Sequence, residues 1–102
     1  MPSKVFFLDA RSGSTKTSSL VKIRTLLDRV SKESPDSIRK GDLCAIKLHF
    51  GEIGNDAYIS PVLARPAAEL ARRLGAKPFF ADTNTLYSGS RSNAVDHLET
   101  AT

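Results

Sequence analysis

The stretch LCAIKLHFGEIGNDAYIS, residues 43–60, decides the fold class of this chain. Its first part, residues 43–50, is apolar except for one lysine and one histidine, as is typical of a strand covered on both faces. The remainder, residues 51–60, holds two glycines and an Asn-Asp pair and has the composition of a loop. At its end, Ser60 and Pro61 form an N-cap followed by a proline at the first helical position. The stretch therefore predicts a strand, a polar loop and a helix, in that order.

The same order of strand, loop and helix occurs before and after this stretch. The apolar runs that predict strands are residues 4–10, 43–50 and 77–81. The segments that predict helices, from their apolar periodicity or their capping residues, are residues 18–32, 61–74 and 93–100. Strands that alternate with helices imply right-handed crossovers and a parallel sheet. We therefore expect an α/β fold, a three-layer β-α-β-α-β-α arrangement with a short parallel sheet, which is half of a Rossmann-like domain.

Two residues bear on the extent of the middle helix. Gly75 follows its last apolar residues and is the expected stop signal. Pro66 lies inside the predicted helix, where a proline removes one hydrogen bond and costs about 3 kcal/mol. The sequence leaves two alternatives open: the helix kinks at Pro66, or its regular part begins near Arg65.

The length of the chain bounds its organisation. Its 102 residues are enough for a single α/β domain, residues 1–102. A three-stranded parallel sheet has two edges, and at least one must stay open or be covered from outside the chain. We therefore expect the N-terminal part of a larger domain, whose open edge pairs either with a second copy, as a homodimer, or with a missing C-terminal portion.

Composition and charge narrow the function classes. No stretch approaches the ~20 consecutive apolar residues that a membrane helix needs, so we expect no membrane contact. The formal net charge is +4, but lysine and arginine are scattered and no aromatic residues interleave with a basic cluster. That pattern favours a solvated basic surface over a nucleic-acid site. The single cysteine, Cys44, can form no internal disulfide, which favours a reducing, cytoplasmic setting.

Candidate site residues follow from the topology. In an open parallel α/β sheet, ligands bind beyond the carboxyl ends of the strands, and the polar loops of this chain lie there. The candidate ligand-binding residues are His49, Glu52, Asn55, Asp82, Asn84, Ser88, Ser90 and Arg91.

A metal site is one use of these residues. His49, Glu52 and Asp82 carry the side-chain types that bind metals, and a histidine with a nearby carboxylate also suits a base and its orienting group. The alternative is structural, because a lone histidine at a strand end is more often simply hydrogen-bonded.

An anion site is another use, and it rests on the third loop. Residues 88–93 (SGSRSN) run directly into a predicted helix, whose N-terminus offers free N–H groups to an anion. Arg91 adds a guanidinium suited to carboxylate or phosphate. The alternative is a serine-rich N-cap with an exposed arginine, in which Asn93 and Asp96 form a capping box.

Two blocks of the sequence resemble a known family. The first comprises IKLHFGE (46–52), GN (54–55), YI (58–59) and Pro61, and the second is DTNTLYSGSRSNAVDHLE (82–99). Both resemble blocks of the bacterial and archaeal iron–sulfur centre protein family of unknown function (domain of unknown function 362).

The resemblance implies a relationship without a reaction. Members of that family are longer, and many carry a ferredoxin-like segment with [4Fe–4S] clusters, each of which needs four cysteine thiolates. Only Cys44 is present here, so the sequence supports no such cofactor in this chain. The resemblance also supplies no catalytic role.

The sequence therefore leaves three alternative functions. The first is an incomplete α/β portion with a small-anion or metal site at the strand ends. The second is an enzyme fragment that uses a His/Glu/Asp/Arg rim, with His49 or Glu52 as proton carrier and Arg91 as anion clamp. The third is an interaction module that pairs through an open sheet edge.

Overall fold

The structure is a computed structural model that describes residues 2–51, 53–54 and 57–101. Within these ranges the chain is a mixed α/β protein with three α-helices and a two-stranded parallel sheet. The helices are α1 (Ser19–Glu33), α2 (Pro61–Arg73) and α3 (Ala94–Ala101). The strands are β1 (Leu43–Lys47) and β2 (Lys77–Ala81), and a short 3-10 turn (Thr15–Thr17) precedes α1. The predicted α/β class is confirmed, and the three predicted helices correspond to α1, α2 and α3. Residues 77–81 form β2 as predicted, whereas β1 ends at Lys47, three residues before the predicted end of that strand.

The two strands pair in parallel along their whole length. The register runs from Leu43 opposite Lys77 to Lys47 opposite Ala81. The pairing extends one residue further at the carboxyl end, where the Leu48 amide donates to the Ala81 carbonyl oxygen at 2.9 Å. Because side chains alternate along a strand, this register places alternate rows of residues on opposite faces of the sheet.

Helices α1 and α2 pack against each other, and both begin at serine caps. The Ser18 hydroxyl accepts from the Val21 amide at 3.4 Å, and the Ser60 hydroxyl accepts from the Val62 amide at 3.3 Å. Helix α2 is continuous from Pro61 to Arg73 with the buried Pro66 inside it, so its regular part does not begin near residue 65.

The end of α2 is fixed by Gly75. The Gly75 amide donates to the Arg72 carbonyl and the Ala76 amide to the Ala71 carbonyl, both at 3.0 Å, which is the Schellman pattern. Gly75 has φ +85°, and a Cβ there would lie 2.9 Å from Lys40 Cγ. The predicted stop signal is therefore confirmed.

Residues 4–10 form no strand, which corrects the prediction for that segment. The segment runs antiparallel to α1: Lys4 Nζ lies 2.8 Å from Glu33 Oε2 near the end of α1, and Asp9 Oδ1 lies 2.8 Å from Lys22 Nζ near its start. An extended segment needs the free N–H and C=O groups of a neighbouring strand. Its observed neighbour is a helix, whose backbone groups bond internally.

The described core is small for a chain of this mass. The buried apolar residues are Ala64, Pro66, Leu70, Ala71 and Ala76. The accessible surface is 8002 Å², whereas a folded monomer of 11.1 kDa is expected to expose about 5,700 Å². The radius of gyration is 16.1 Å, against about 13 Å expected for this length. None of the described helices is long and apolar enough to cross a membrane.

Candidate functional site

Asp82 is the centre of a buried charge cluster at the carboxyl end of β2. Its side chain is only 4% exposed, and the Thr83 amide donates to its Oδ1 at 2.8 Å. Three basic side chains approach the carboxylate: Lys47 Nζ at 3.7 Å from Oδ1, and Arg91 Nη1 at 3.6 Å and His97 Nε2 at 3.5 Å from Oδ2. We call the side chains of Lys47, Asp82, Arg91 and His97 the Asp82 cluster.

Each cluster member is positioned by a different element. Lys47 is the last residue of β1 and pairs with Ala81, so it lies beside the first residue after β2. Arg91 is placed by the third loop, which folds back so that the Thr85 amide donates to the Arg91 carbonyl at 2.8 Å. The guanidinium donates from Nη2 to the Tyr87 hydroxyl at 2.7 Å. These contacts explain why an arginine in a loop is buried.

His97 is placed by the first turn of α3. Asn93 caps this helix: its side-chain oxygen accepts from the Asp96 amide at 3.0 Å, and its side-chain nitrogen donates to the Asp96 carboxylate at 2.7 Å. One turn later, the His97 ring lies 6.2 Å from the Phe50 ring, and His97 Nδ1 lies 3.1 Å from Asn84 Oδ1. Asn93 is therefore the N-cap, as predicted, but the Asp96 carboxylate bonds the Asn93 side chain and not its backbone amide, so the reciprocal half of the predicted capping box does not form.

The two ring nitrogens of His97 both face protein oxygens. Nδ1 lies 3.1 Å from the Asn84 amide oxygen, which accepts a hydrogen bond from the ring in the tautomer that carries the proton on Nδ1. Nε2 faces Asp82 Oδ2, and neither of these two buried atoms has a hydrogen-bond partner among the described residues. Since both nitrogens are directed at protein groups, His97 is not oriented to take a proton from a bound molecule.

The electrostatics of Asp82 favour its ionised form. Burial raises the pKa of this carboxyl, whereas the Thr83 amide and the charges of Lys47, His97 and Arg91 lower it. The lowering contributions prevail, so the Asp82 pKa lies below its ordinary value. A carboxylate held in this way is a structural anion at neutral pH and is poorly suited to carry protons.

A cavity of about 370 Å³ lies against the cluster, which is within the size range of small-molecule sites. Its walls are largely apolar, with Thr83 and Asn84 adding polar groups at the side of Asp82 and His97. The lining residues are Phe50, Asp82, Thr83, Asn84, Ala94, His97 and Leu98.

The predicted site residues separate into groups. Asp82, Asn84 and Arg91 are brought together at the cluster. Ser90 contributes its carbonyl, which accepts from the Thr100 hydroxyl at 3.1 Å, and Ser88 is exposed in the loop.

The remaining predictions concern the second loop. Glu52 and Asn55 lie outside the described residues. His49 is exposed and lines a separate cavity with Tyr58, and its Nδ1 accepts from the Gly51 amide at 2.8 Å. Within the described ranges, no group of three histidine, cysteine, aspartate or glutamate side chains could hold a metal. The metal set of His49, Glu52 and Asp82 therefore stays a prediction, and its two described members lie at different cavities.

Sequence reasoning missed Lys47 and His97 as site residues. Lys47 is the one charged residue inside an otherwise apolar strand, which is a signal for a charged partner at the strand end. His97 follows the Asn93 cap by four residues, so it lies on the same face of α3 as the cap, one turn further along.

No family model, curated protein or solved structure matches this chain. The resemblance of residues 46–61 and 82–99 to the iron–sulfur centre protein family therefore stays a prediction. Cys44, the residue that bears on a cluster cofactor, is a half-buried free thiol in β1.

Proposed function

We propose that this chain binds a small anion at the carboxyl ends of β1 and β2, with Lys47 as the cationic contact. One observation carries the proposal: the cluster sets three basic side chains around a single carboxylate. With His97 neutral the four side chains carry one net positive charge, and with His97 protonated they carry two. The lysine side chain is 74% exposed while the carboxylate is buried. The positive charge that a ligand in solution can contact is therefore the one on Lys47.

Lys47 is able to exchange its partner at little cost. Its contact with Asp82 is long, at 3.7 Å, and the lysine end is open to water. Because the lysine end is solvated and the contact is long, Lys47 can turn to a bound carboxylate or phosphate while Arg91 and His97 stay beside Asp82. Arg91 is held by Tyr87 and Asp82, so we assign it to positioning the carboxylate rather than to the anion.

The same geometry favours binding over catalysis. An acid–base enzyme needs a proton carrier that reaches the bound molecule. Asp82 is buried and held ionised, and both nitrogens of His97 are directed at protein oxygens. We therefore rank the enzyme hypothesis second.

A titration with inorganic phosphate and acetate tests the proposal. Binding is followed by NMR shifts of the amides of residues 47–51 and 82–84 in the intact chain. We expect Lys47→Ala to weaken binding about tenfold, the equivalent of about 1.4 kcal/mol. The matched control is Lys77→Ala, an exposed lysine at the opposite end of the sheet, which should leave binding unchanged. Equal affinity of the wild type and Lys47→Ala would contradict the proposal.

The three-layer fold is a second part of this proposal. We propose that residues 4–10 pair with the free edge of β1 as a third parallel strand when a partner from outside this chain covers the sheet. The result would be the Rossmann-like half domain. Their course antiparallel to α1, between the Lys4–Glu33 and Asp9–Lys22 pairs, supports this because a strand that leads into a helix has that direction.

Hydrogen exchange tests the third strand. Strand pairing would slow exchange at the amides of residues 5–8 to the rate of the β1 amides. If the amides of residues 5–8 exchanged as fast as those of an unfolded chain in every solution condition, the third strand would be contradicted. A homodimer that pairs through the β1 edge would also protect residues of β1, and sedimentation equilibrium separates that outcome from pairing within one chain.

A further inference from the structure

We propose that the outward face of the sheet docks an amphipathic helix of a partner protein, whose apolar stripe is bordered by acidic residues. The outward face comprises Leu43, Ala45, Lys47, Lys77, Phe79 and Ala81, which share one side of the sheet in the observed register. This inference shares Lys47 with the proposed anion site, but it is carried by the apolar residues of the face and by Lys77.

The two faces of the sheet differ in how they are covered. On the inner side, Cys44 and Ile46 of β1 are half-buried. On the outward face, Leu43 is 75% exposed and Phe79 is 49% exposed, whereas Ala81 is half-buried. On the inner side, Phe80 of β2 is 40% exposed, so the contrast between the faces is clear in β1 and weak in β2. Parallel strands in α/β proteins are ordinarily covered by helices on both faces, so an apolar face without a cover is the feature to explain.

The accessible surface area above the value expected for this mass is as large as a protein–protein interface. The chain exposes 8002 Å², roughly 2,300 Å² more than a folded monomer of its mass. Stable interfaces bury about 800 Å² on each partner, and permanent ones bury more. The outward face is one part of this surplus on a regular element, and the helices also expose apolar side chains, as at Val62, Val95 and Leu98.

The shape of the outward face is suited to packing against a helix. Ala45 lies opposite Phe79, and Ala81 lies two residues further along β2. The small side chains leave room beside the phenyl ring for a leucine or isoleucine of a helix packed along the strands. Leu43 supplies a second apolar contact at the amino end of β1.

The charges on the outward face indicate what kind of partner binds there. Its two charged residues are both lysines, Lys47 at the carboxyl end of β1 and Lys77 at the amino end of β2. A second copy laid on this face would bring lysines against lysines, whereas carboxylates would pair with them. The two lysines are four residues apart along the strands, about 13 Å, which a helix spans in about nine residues. The partner helix therefore carries acidic residues about nine positions apart at opposite borders of its apolar stripe.

A pair of designed peptides tests this inference on the intact chain. Both are helices of about 18 residues with the same leucine and alanine stripe, one with glutamates and one with lysines at two border positions nine residues apart. The dissociation constants are measured by NMR titration at physiological salt. We expect the glutamate peptide to bind at least about tenfold more tightly than the lysine peptide, with shifts centred on residues 43–47 and 77–81.

Variants then locate the contact. Phe79→Ser and, separately, the more exposed Leu43→Ser should each abolish detectable binding, and Lys77→Glu should remove the preference for the glutamate peptide. The matched control is Leu86→Ser, an exposed apolar residue of the third loop that is outside the outward face. Leu43→Ser keeps the test valid if Phe79→Ser does not fold.

Three results would overturn the inference. The first is the absence of binding by the glutamate peptide, and the second is equal binding of the two peptides. The third is a dimer in sedimentation equilibrium that Leu43→Ser converts to a monomer, which would make a second copy the occupant. Because none of these experiments alters Lys47, their failure leaves the anion proposal untouched.

Discussion

His97 Nε2 lies 3.5 Å from Asp82 Oδ2, and both atoms are buried without a hydrogen-bond partner among the described residues. The histidine comes from α3 and the carboxylate from the end of β2, so this contact joins the last helix to the sheet. Arg91 approaches the same oxygen from the loop between them. The stability of this end of the molecule therefore depends on one carboxylate.

Removing that carboxylate gives the first prediction. Asp82→Asn leaves Arg91 and His97 beside a neutral group in a buried setting, and we expect the free energy of unfolding to fall by about 3 kcal/mol. The matched control is Asp28→Asn, whose pair with Arg73 is shorter, at 2.8 Å, but exposed, so its loss should cost less than about 1 kcal/mol. Urea denaturation measures both. Equal losses would mean that burial does not strengthen the Asp82 contacts.

The pH dependence of stability gives a second prediction, and its sign follows from the lowered pKa of Asp82. An unfolded aspartate has a pKa of about 3.9, so below this pH the unfolded chain binds a proton that the folded chain does not. The contribution of Asp82 is complete above about pH 4 and is lost as the pH falls through the folded pKa. We expect the stability difference between the wild type and Asp82→Asn to shrink in that range. A constant difference from pH 6 to pH 2.5 would contradict the assignment.

The pKa values of two other carboxylates are also lowered, and these groups serve as an internal comparison. Hydrogen bonds from Lys22 and Lys4 lower the pKa values of Asp9 and Glu33, and both carboxylates are exposed. Because salt screens exposed charges more than buried ones, 0.5 M sodium chloride should reduce the low-pH stability loss that Asp9 and Glu33 cause. The Asp82 part of the loss should persist, as measured with the Asp82→Asn variant.

A third prediction concerns the end of α2. Gly75→Ala places a side chain on a residue with φ +85° and sets its Cβ 2.9 Å from Lys40 Cγ. We expect a loss of about 1–2 kcal/mol in the free energy of unfolding, since an L-residue is strained there. The comparison is Gly13→Ala, where the added Cβ would meet nothing within 4 Å, so the change should stay within about 0.5 kcal/mol. A larger loss at Gly13 than at Gly75 would refute the role of the left-handed cap.

Sequence reasoning succeeded where the cause is local. Ser60 and Pro61 start α2, and Gly75 ends it through hydrogen bonds to the last turn of the same helix. The strands at 43–47 and 77–81 are short apolar runs between turn residues, and they pair as the alternation with helices predicts. In these cases the residues that fix the structure lie within a few positions of each other.

The failures have a non-local cause. Residues 4–10 carry a strand-like sequence, but a strand forms only where another strand offers its edge, and the sequence of the segment does not specify that neighbour. His49 and His97 show the same limit within the site. The sequence predicts His49 as a site residue because it follows a strand, yet Phe50, the next residue, is the one whose ring lies near the cluster. His97 reaches Asp82 because the third loop turns back, and that turn depends on contacts such as the one between Thr85 and Arg91.

The contact between Tyr87 and Arg91 gives the last prediction. Arg91 is buried, and its Nη2 donates to the Tyr87 hydroxyl at 2.7 Å. Tyr87→Phe removes this acceptor beside a buried charged donor, which should cost about 1–2 kcal/mol in the free energy of unfolding. Tyr58→Phe is the control at the other tyrosine, whose ring packs on Gly51, and should cost less than about 0.5 kcal/mol. A double-mutant cycle with Arg91→Leu separates the pair from other effects, because the two changes should be non-additive by about 1 kcal/mol. Additive losses would show that Tyr87 does not hold Arg91, and the anion proposal would then lose its account of how Asp82 is positioned beside Lys47.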